Sequence, residues 1–242
     1  MTNVTFSSDI TVKLVRAMAG DDTVVQAAQV SAKGENNPET VPLRLIEAMM
    51  KGKHGSPFEH NAFTFFVEAP IFVFREWQRH RISSFNEMSG RYTDLLPKFY
   101  VPADDRRMFN IGTKMKPEFI SYEEYCEGAL VDIEASNNAV QSRLYLAAES
   151  AWVEYQEMLN HGIANEVARV VLPLNIYSQM YWTVNARSLM NFLSVRVESD
   201  DSTVRSYPQW EIQMGADQVE EAFAQLMPLT HLAFINNGRV AP

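Results

Sequence analysis

The chain of 242 residues contains a single cysteine, Cys126. No intrachain disulfide can form, and a reducing cytoplasm fits that composition. No apolar run approaches the length of a membrane span. The N-terminal residues lack the basic stretch and apolar core of a secretory signal. Cations are scarce: 21 Lys and Arg stand against 30 Asp and Glu, for a formal net charge of −9. A long nucleic acid demands a broad basic surface, so this balance argues against nucleic-acid binding. No Gly-rich dinucleotide loop occurs, which excludes a Rossmann phosphate turn. Metal-ligand spacing is missing too. His54 and His60 lie six apart, and His80, His161 and His231 are isolated, so no metal is expected. His60 reads as structural, and His161-Gly162 as a helix end. No linker, repeat or low-complexity run interrupts the chain, which predicts one domain over residues 1–242.

Against these absences one stretch stands out, Arg79-His80-Arg81-Ile82-Ser83-Ser84-Phe85-Asn86-Glu87-Met88-Ser89-Gly90-Arg91-Tyr92. A core-filling segment would not carry so many polar groups. Arg79, Arg81 and Arg91 are permanent cations whose forked donors fit phosphate or carboxylate two bonds at a time. His80 can donate, accept or carry charge near neutrality. Ser83, Ser84, Ser89, Asn86 and Glu87 suit the polar edges of a base or sugar. Residues 75–92 hold four Arg and two Glu in an acidic chain. Such a basic island predicts a discrete anionic ligand. Upstream, residues 70–78 read as a helix with Pro70 in its first turn, which would set Arg75 and Arg79 on one face, and Trp77 and Arg81 likewise. Gly90 marks a break, so the motif is expected to run from helix into loop.

Arg-His-Arg, seven residues, then Ser, with Asn-Glu and Arg-Tyr at fixed offsets, resembles the signature of flavin-dependent thymidylate synthases. Three further blocks resemble that family in the same order: His54-Gly55-Ser56-Pro57-Phe58-Glu59-His60, residues 168–175 and residues 182–193. The resemblance spans roughly Asp22 to Gln213. It implies synthesis of dTMP from dUMP, with methylenetetrahydrofolate as carbon donor and NADPH as reductant through bound FAD. By position it implies that Ser56, Arg79, His80, Arg81, Glu87, Asn185, Arg187 and Asn191 contact FAD. Glu76, Trp77, Gln78, Arg79, Glu87, Met88, Ser89, Gly90, Arg91, Arg169 and Arg196 would surround dUMP. Arg196 matches an arginine that favours ionisation at N3 of the pyrimidine, and His54 a histidine near flavin and folate. The resemblance also implies a homotetramer with active sites between subunits.

The chemistry of these residue types agrees. Charge-assisted hydrogen bonds contribute about 1.5–3 kcal/mol each, so Arg91 and Arg169 suffice to hold a nucleotide phosphate. A cation beside N3 and O4 stabilises charge that develops in the ring. Ser89 has no histidine near it in sequence to act as base, so it reads as a hydrogen-bonding residue. Carboxylates around Cys126, in Tyr122-Glu123-Glu124-Tyr125-Cys126-Glu127, disfavour the thiolate that a cysteine nucleophile needs. One segment departs from the family pattern. Residues 197–208 between Arg196 and Gln209-Trp210-Glu211-Ile212 are long, acidic and free of histidine, and read as a mobile surface loop. That departure keeps a binding protein without turnover as an alternative; a nucleic-acid binder and a flavin oxidoreductase with another acceptor are the others.

The hydrophobic pattern predicts an α+β fold, a mixed sheet flanked by helices with a long helical segment in the second half and no Rossmann unit. Strands are expected at residues 10–18, 61–68, 98–101 and 177–184. Helices are expected at 21–31, where Asp21-Asp22 would cap, at 37–51 opening on Asn37-Pro38-Glu39, and at 117–160 as one or two pieces. Further helices are expected at 166–172, 187–195 and, last, 209–227. Tyr145, Trp152, Tyr155 and Leu159 form one stripe of the long segment, consistent with core packing.

Overall fold

The computed structural model describes residues 4–33, 42–128 and 137–242. In chain order the elements are β1 (Thr5–Ser7), β2 (Thr11–Met18), α1 (Asp21–Lys33), α2 (Pro42–Lys51), β3 (Ala62–Pro70), α3 (Ile71–Trp77), β4 (Ser84–Glu87), β5 (Lys98–Tyr100), β6 (Phe109–Asn110) and β7 (Phe119–Ile120). They continue with α4 (Tyr122–Gly128), α5 (Asn137–Asn160), α6 (Asn165–Ala168), β8 (Tyr177–Val184), α7 (Ala186–Arg196), α8 (Trp210–Leu226) and α9 (Pro228–Asn236). The expected α+β architecture is the observed one. The helix start expected at Asn37-Pro38-Glu39 lies outside the described residues, as does part of the expected segment 117–160.

The chain forms two compact units. One comprises Met1–Asp9, Ala69–Phe74 and Met88–Ser178. Its core gathers Leu95, Phe99, Trp152, Tyr155 and Ile176. The stripe expected on α5 is there: Trp152 and Tyr155 are buried, Leu159 packs on the cluster, and Tyr145 meets Phe6 edge-on at 4.4 Å. Tyr155 is not purely apolar filler, since its hydroxyl accepts from the Leu95 backbone N–H at 3.2 Å. β1 and β5 pair in parallel, and β6 and β7 pair antiparallel.

The other unit comprises Ile10–Glu68, Arg75–Glu87 and Gln179–Pro242. A four-stranded sheet runs in the order β2-β3-β8-β4, with β2 antiparallel to β3 and β4 antiparallel to β8. β3 carries Phe63 and Phe65 two residues apart, on one face by strand periodicity, with ring centroids 6.1 Å apart. Phe65 stacks on Trp182 of β8. Trp182 in turn meets Trp77 at 5.3 Å and Phe192 of α7 at 5.0 Å. These side chains are fully buried. Aromatic pairs in such geometry contribute about 0.5–1.5 kcal/mol beyond their buried area.

Helix ends are secured across long sequence distances. Asp21 was expected to cap its own helix. Its carboxylate instead accepts from the Leu229 and Thr230 backbone N–H groups at 2.9 and 2.8 Å, and from the Thr230 hydroxyl. It therefore satisfies the first turn of α9, where the helix dipole favours an anion. That helix follows the segment expected to be last, and Pro228 opens it rather than closing α8.

Gly215 of α8 permits the approach of that helix to the aromatic cluster. A Cβ there would lie 2.8 Å from the Trp77 ring and 3.1 Å from Ile10 Cγ2. Gly215→Val is expected to lower unfolding stability by about 1–3 kcal/mol through overpacking. Urea denaturation of the purified variant measures it, and an unchanged midpoint contradicts the packing account.

Candidate functional site

The helix expected to carry Arg79 and Arg81 stops at Trp77. Beyond it the backbone tightens: Arg79 and His80 N–H groups bond Glu76 and Trp77 carbonyls, and Arg81 N–H bonds the Arg79 carbonyl. The motif then forms an edge strand, β4, rather than a loop. Arg75 and Arg79 are therefore not one helical turn apart, nor are Trp77 and Arg81. The turn has a consequence for His80, whose ring comes to rest edge-on against Phe192 of α7 at 4.9 Å.

Arg196, at the end of α7, reaches the same place. Its Nη1 donates to Glu76 Oε2 at 2.6 Å, its Nε to His80 Nε2 at 3.1 Å, and its Nη2 to the Glu76 carbonyl at 3.4 Å. The Arg196 side chain keeps 16% of its exposure and Glu76 38%. A guanidinium has five N–H donors and no acceptor. Three are engaged, leaving one N–H on each terminal nitrogen without a partner among the described residues. Burial, and then the neighbouring Arg196, push the His80 pKa down to about 4. Burial also lowers that of Arg196, with Glu76 opposing and Arg79 adding to the effect.

Arg79, His80, Arg81, Ile82, Val184, Ser188 and Asn191 line a pocket of about 250 Å³. Ser188, Ile82 and Val184 were not anticipated. Ser188 could have been, since it sits three residues before Asn191 on one helix face. The Arg79 and Arg81 guanidinium groups have no hydrogen-bond or ion-pair partner among the described residues. Two free cations, a hydroxyl, an amide and a neutral imidazole make a donor set that fits the phosphates and polar ring edges of a flavin dinucleotide. The residues present therefore fit that group.

Other candidates hold structural contacts. Asn185 is the N-cap of α7, accepting from Ser188 N–H at 2.9 Å, and Asn61 Oδ1 accepts from Ala186 N–H at 2.6 Å. Arg187 donates to Glu59 at 2.5 Å and to the Pro242 carbonyl oxygen at 2.8 Å. Asn191 donates to the Arg187 carbonyl. Gly55 lies beneath Arg187: a Cβ there would stand 2.5 Å from the guanidinium carbon, so the arginine side chain would have to shift. Ser56 and His54 are exposed nearby in sequence, as is His60. Gln78 donates to Glu87 at 3.1 Å. The Trp77 ring is wholly buried in the aromatic cluster, so its side chain supports the site from beneath.

Met88, Ser89, Gly90, Arg91 and Arg169 belong to the other unit. The Ser89 carbonyl accepts from Tyr92 and Thr93 N–H groups, and its hydroxyl accepts from Arg91 N–H. Gly90 is buried; a Cβ there would sit 3.3 Å from Arg169 Cδ and 3.1 Å from Leu95. Arg91 pairs with Glu166 at 2.8 Å, both half exposed. Such a pair is weak in water and yields readily to a better anion. Arg169 is exposed, with no ion-pair partner among the described residues.

The departing segment 197–208 is tied down. Thr203 N–H and hydroxyl both donate to the Gly238 carbonyl, and Ser206 donates to the Val197 carbonyl. Arg205 pairs with Glu198 at 3.0 Å and lies over the Tyr207 ring. His161, as expected, ends α5, its Nδ1 2.6 Å from the Glu157 carbonyl. Among the described residues no three His, Cys, Asp or Glu side chains gather as a metal site would require.

A family model described as "Thymidylate synthase complementing protein" matches residues 13–229. A flavin-dependent thymidylate synthase of Streptomyces avermitilis is 47% identical, over 98% of this chain and 95% of that protein. One from Tropheryma whipplei is 48% identical, over 98% and 97%. The crystal structure of a UMP/dUMP methylase, PolB, from Streptomyces cacaoi bound with 5-Br UMP superposes with a TM-score of 0.88 at 43% identity, covering 99% of this chain and all of that one.

The depressed His80 pKa sets a pH dependence. The unfolded chain takes up this proton near 6.5 and the folded chain near 4. The stabilising contribution is thus complete above about pH 6.5 and is lost as pH falls toward 4. The expected outcome is a lower urea midpoint at about pH 5 than at about pH 7.5. His80→Gln, which has no such proton to gain, narrows that gap.

Proposed function

The chain belongs to the flavin-dependent thymidylate synthase family, and on that premise we propose that it converts dUMP to dTMP, taking its carbon from methylenetetrahydrofolate and its electrons from NADPH. The carbon arrives as methylene and ends as methyl, so one hydride equivalent must be added while the pyrimidine loses its C5 proton. Bound FAD would carry that reducing equivalent between NADPH and the reacting carbon.

The observation that carries this reading is the Arg196 guanidinium held by Glu76 and His80 beside a pocket lined by Arg79 and Arg81, which have no ion-pair partner among the described residues. Arg79, His80 and Arg81 hold the flavin dinucleotide, with Ser56, Glu87, Asn185, Arg187 and Asn191 contributing to its binding. Arg91 and Arg169 bind the nucleotide phosphate, Arg91 exchanging Glu166 for it. Glu76, Trp77, Gln78, Met88, Ser89 and Gly90 shape the nucleotide's surroundings, and His54 lies on the folate side. The two free N–H groups of Arg196 face the pyrimidine N3 and O4. They favour the ionised ring, whose C5 is then nucleophilic enough to attack the incoming carbon. In this reading no cysteine takes part; Cys126, on α4 beside Tyr122, is not among the residues that the family resemblance brings to the site.

The whole chain works as one functional domain in the cytoplasm, and four copies assemble with active sites between subunits. No described helix is long and apolar enough to cross a membrane. Support for assembly comes from the edge strand β2, which leaves Leu14, Val15 and Met18 exposed at 40, 46 and 68%. Exposed apolar side chains grouped on an edge strand favour coverage by another surface. Sedimentation of an active monomer would defeat the assembly.

Release of tritium from C5-labelled dUMP tests the reaction, with FAD, NADPH and methylenetetrahydrofolate each omitted in turn. Release that needs all three is expected. Cys126→Ala keeps it. Arg196→Lys, which cannot fork between its partners, loses about 100-fold in kcat/KM. Release without FAD, or its loss in Cys126→Ala, overturns the reading.

A further inference from the structure

His80 and Arg196 stand 116 residues apart, and the family resemblance assigns one to the flavin and the other to the nucleotide. Their side chains nonetheless meet, Nε of Arg196 to Nε2 of His80 at 3.1 Å. The direction of this bond is fixed by chemistry. Arginine has no acceptor, so the imidazole must present a lone pair at Nε2. A neutral imidazole carries its single proton on the other nitrogen, which makes His80 the Nδ1–H tautomer.

We propose that His80 is a positioning residue for Arg196: its unprotonated Nε2 fixes the guanidinium plane, and its Nδ1–H is left to the pocket's occupant. This rests on the reading of the chain as a flavin-dependent synthase. The one bond joins the cofactor side of the site to the nucleotide side.

The surroundings favour this state. His80 is packed against Phe192 of α7, and its own carbonyl is held by the Ser83 hydroxyl at 2.7 Å. The charged groups facing it are Arg196 from α7 and, through Arg196, Glu76 from α3, with Arg79 and Arg81 on either side in the chain. Burial of the ring, and then the Arg196 cation bonded to it, disfavour a proton on Nε2. Nδ1 has no protein acceptor among the described residues, and His80 lines the pocket that contains Arg79, Arg81 and Asn191. Glu76 alone would hold the guanidinium by one short contact at Nη1 and a long one, 3.4 Å, from Nη2 to its carbonyl, which leaves the plane loosely set. The third anchor, at Nε, removes that looseness, so the two remaining N–H groups point in one direction. Misplacement of a catalytic group by about 1 Å can cost roughly 100-fold.

Two measurements on the FAD-loaded enzyme test this. Long-range nitrogen–proton spectra of histidine-labelled protein should show His80 as the Nδ1–H tautomer at about pH 7.5, still unprotonated at about pH 5.5. An Nε2–H tautomer, or protonation in that interval, overturns the proposal whether or not the enzyme makes dTMP. The second measurement is tritium release. Asn at position 80 has no acceptor at the Nε2 position, whereas the side-chain oxygen of Gln reaches it. His80→Asn should lose about 100-fold in kcat/KM for dUMP, mostly in kcat, at equal flavin occupancy. His80→Gln should recover most of the loss. Equal loss in both variants overturns the proposal. A wild-type enzyme without release sinks the synthase reading instead and leaves the tautomer result standing.

Discussion

A cation taken most of the way out of water must be given acceptors, and at Arg196 the acceptors come from a different stretch of chain. Glu76 supplies a carboxylate and a carbonyl, and His80 supplies a ring nitrogen. Removing one partner of such a group leaves charge uncompensated, which costs more than the bond itself contributes. The arrangement therefore works only if α3 and the turn after it are held at a fixed distance from α7. The Trp77, Trp182 and Phe192 cluster does this, because each element contributes one ring to it. Apolar packing thus sets the geometry, and the ionic contacts use it.

The long periodic elements were legible in the sequence. β8 is found over the residues expected, 177–184, and α7 within one residue at each end. These segments satisfy local propensity and tertiary demand together. Three features were not legible. The helix carrying Arg75 ends early, because the chain after Trp77 must turn to bring His80 against Phe192. β4 is short and polar, so its strand character comes from pairing with β8 and leaves little alternation to read. The helix that opens at Pro228 was missed, because it abuts α8 and the pattern was expected to end at residue 227.

For the candidate site, residue types were readable and their partners were not. Arg79, Arg81 and Arg91 announced an anion by composition, whereas Arg169 came from the family resemblance. That Asn185 is first of all a helix cap, and that Arg187 is engaged by Glu59, depends on where the chain folds back. The segment 197–208 is the clearest case. Its acidity suggested a free loop, yet Thr203 and Ser206 anchor it, and polar residues at such spacing give no sign of which backbone carbonyl they will meet.

The carboxylate of Asp21 closes α9 from 208 residues away. Two helices near opposite ends of the sequence thereby share one set of hydrogen bonds. Local opening of α1 strips the first turn of α9 of its acceptor, and fraying of α9 leaves Asp21 without its donors. The shared hydrogen bonds thus tie the opening of one helix to that of the other. For anyone cutting or fusing this chain, its early and late helices are a single part.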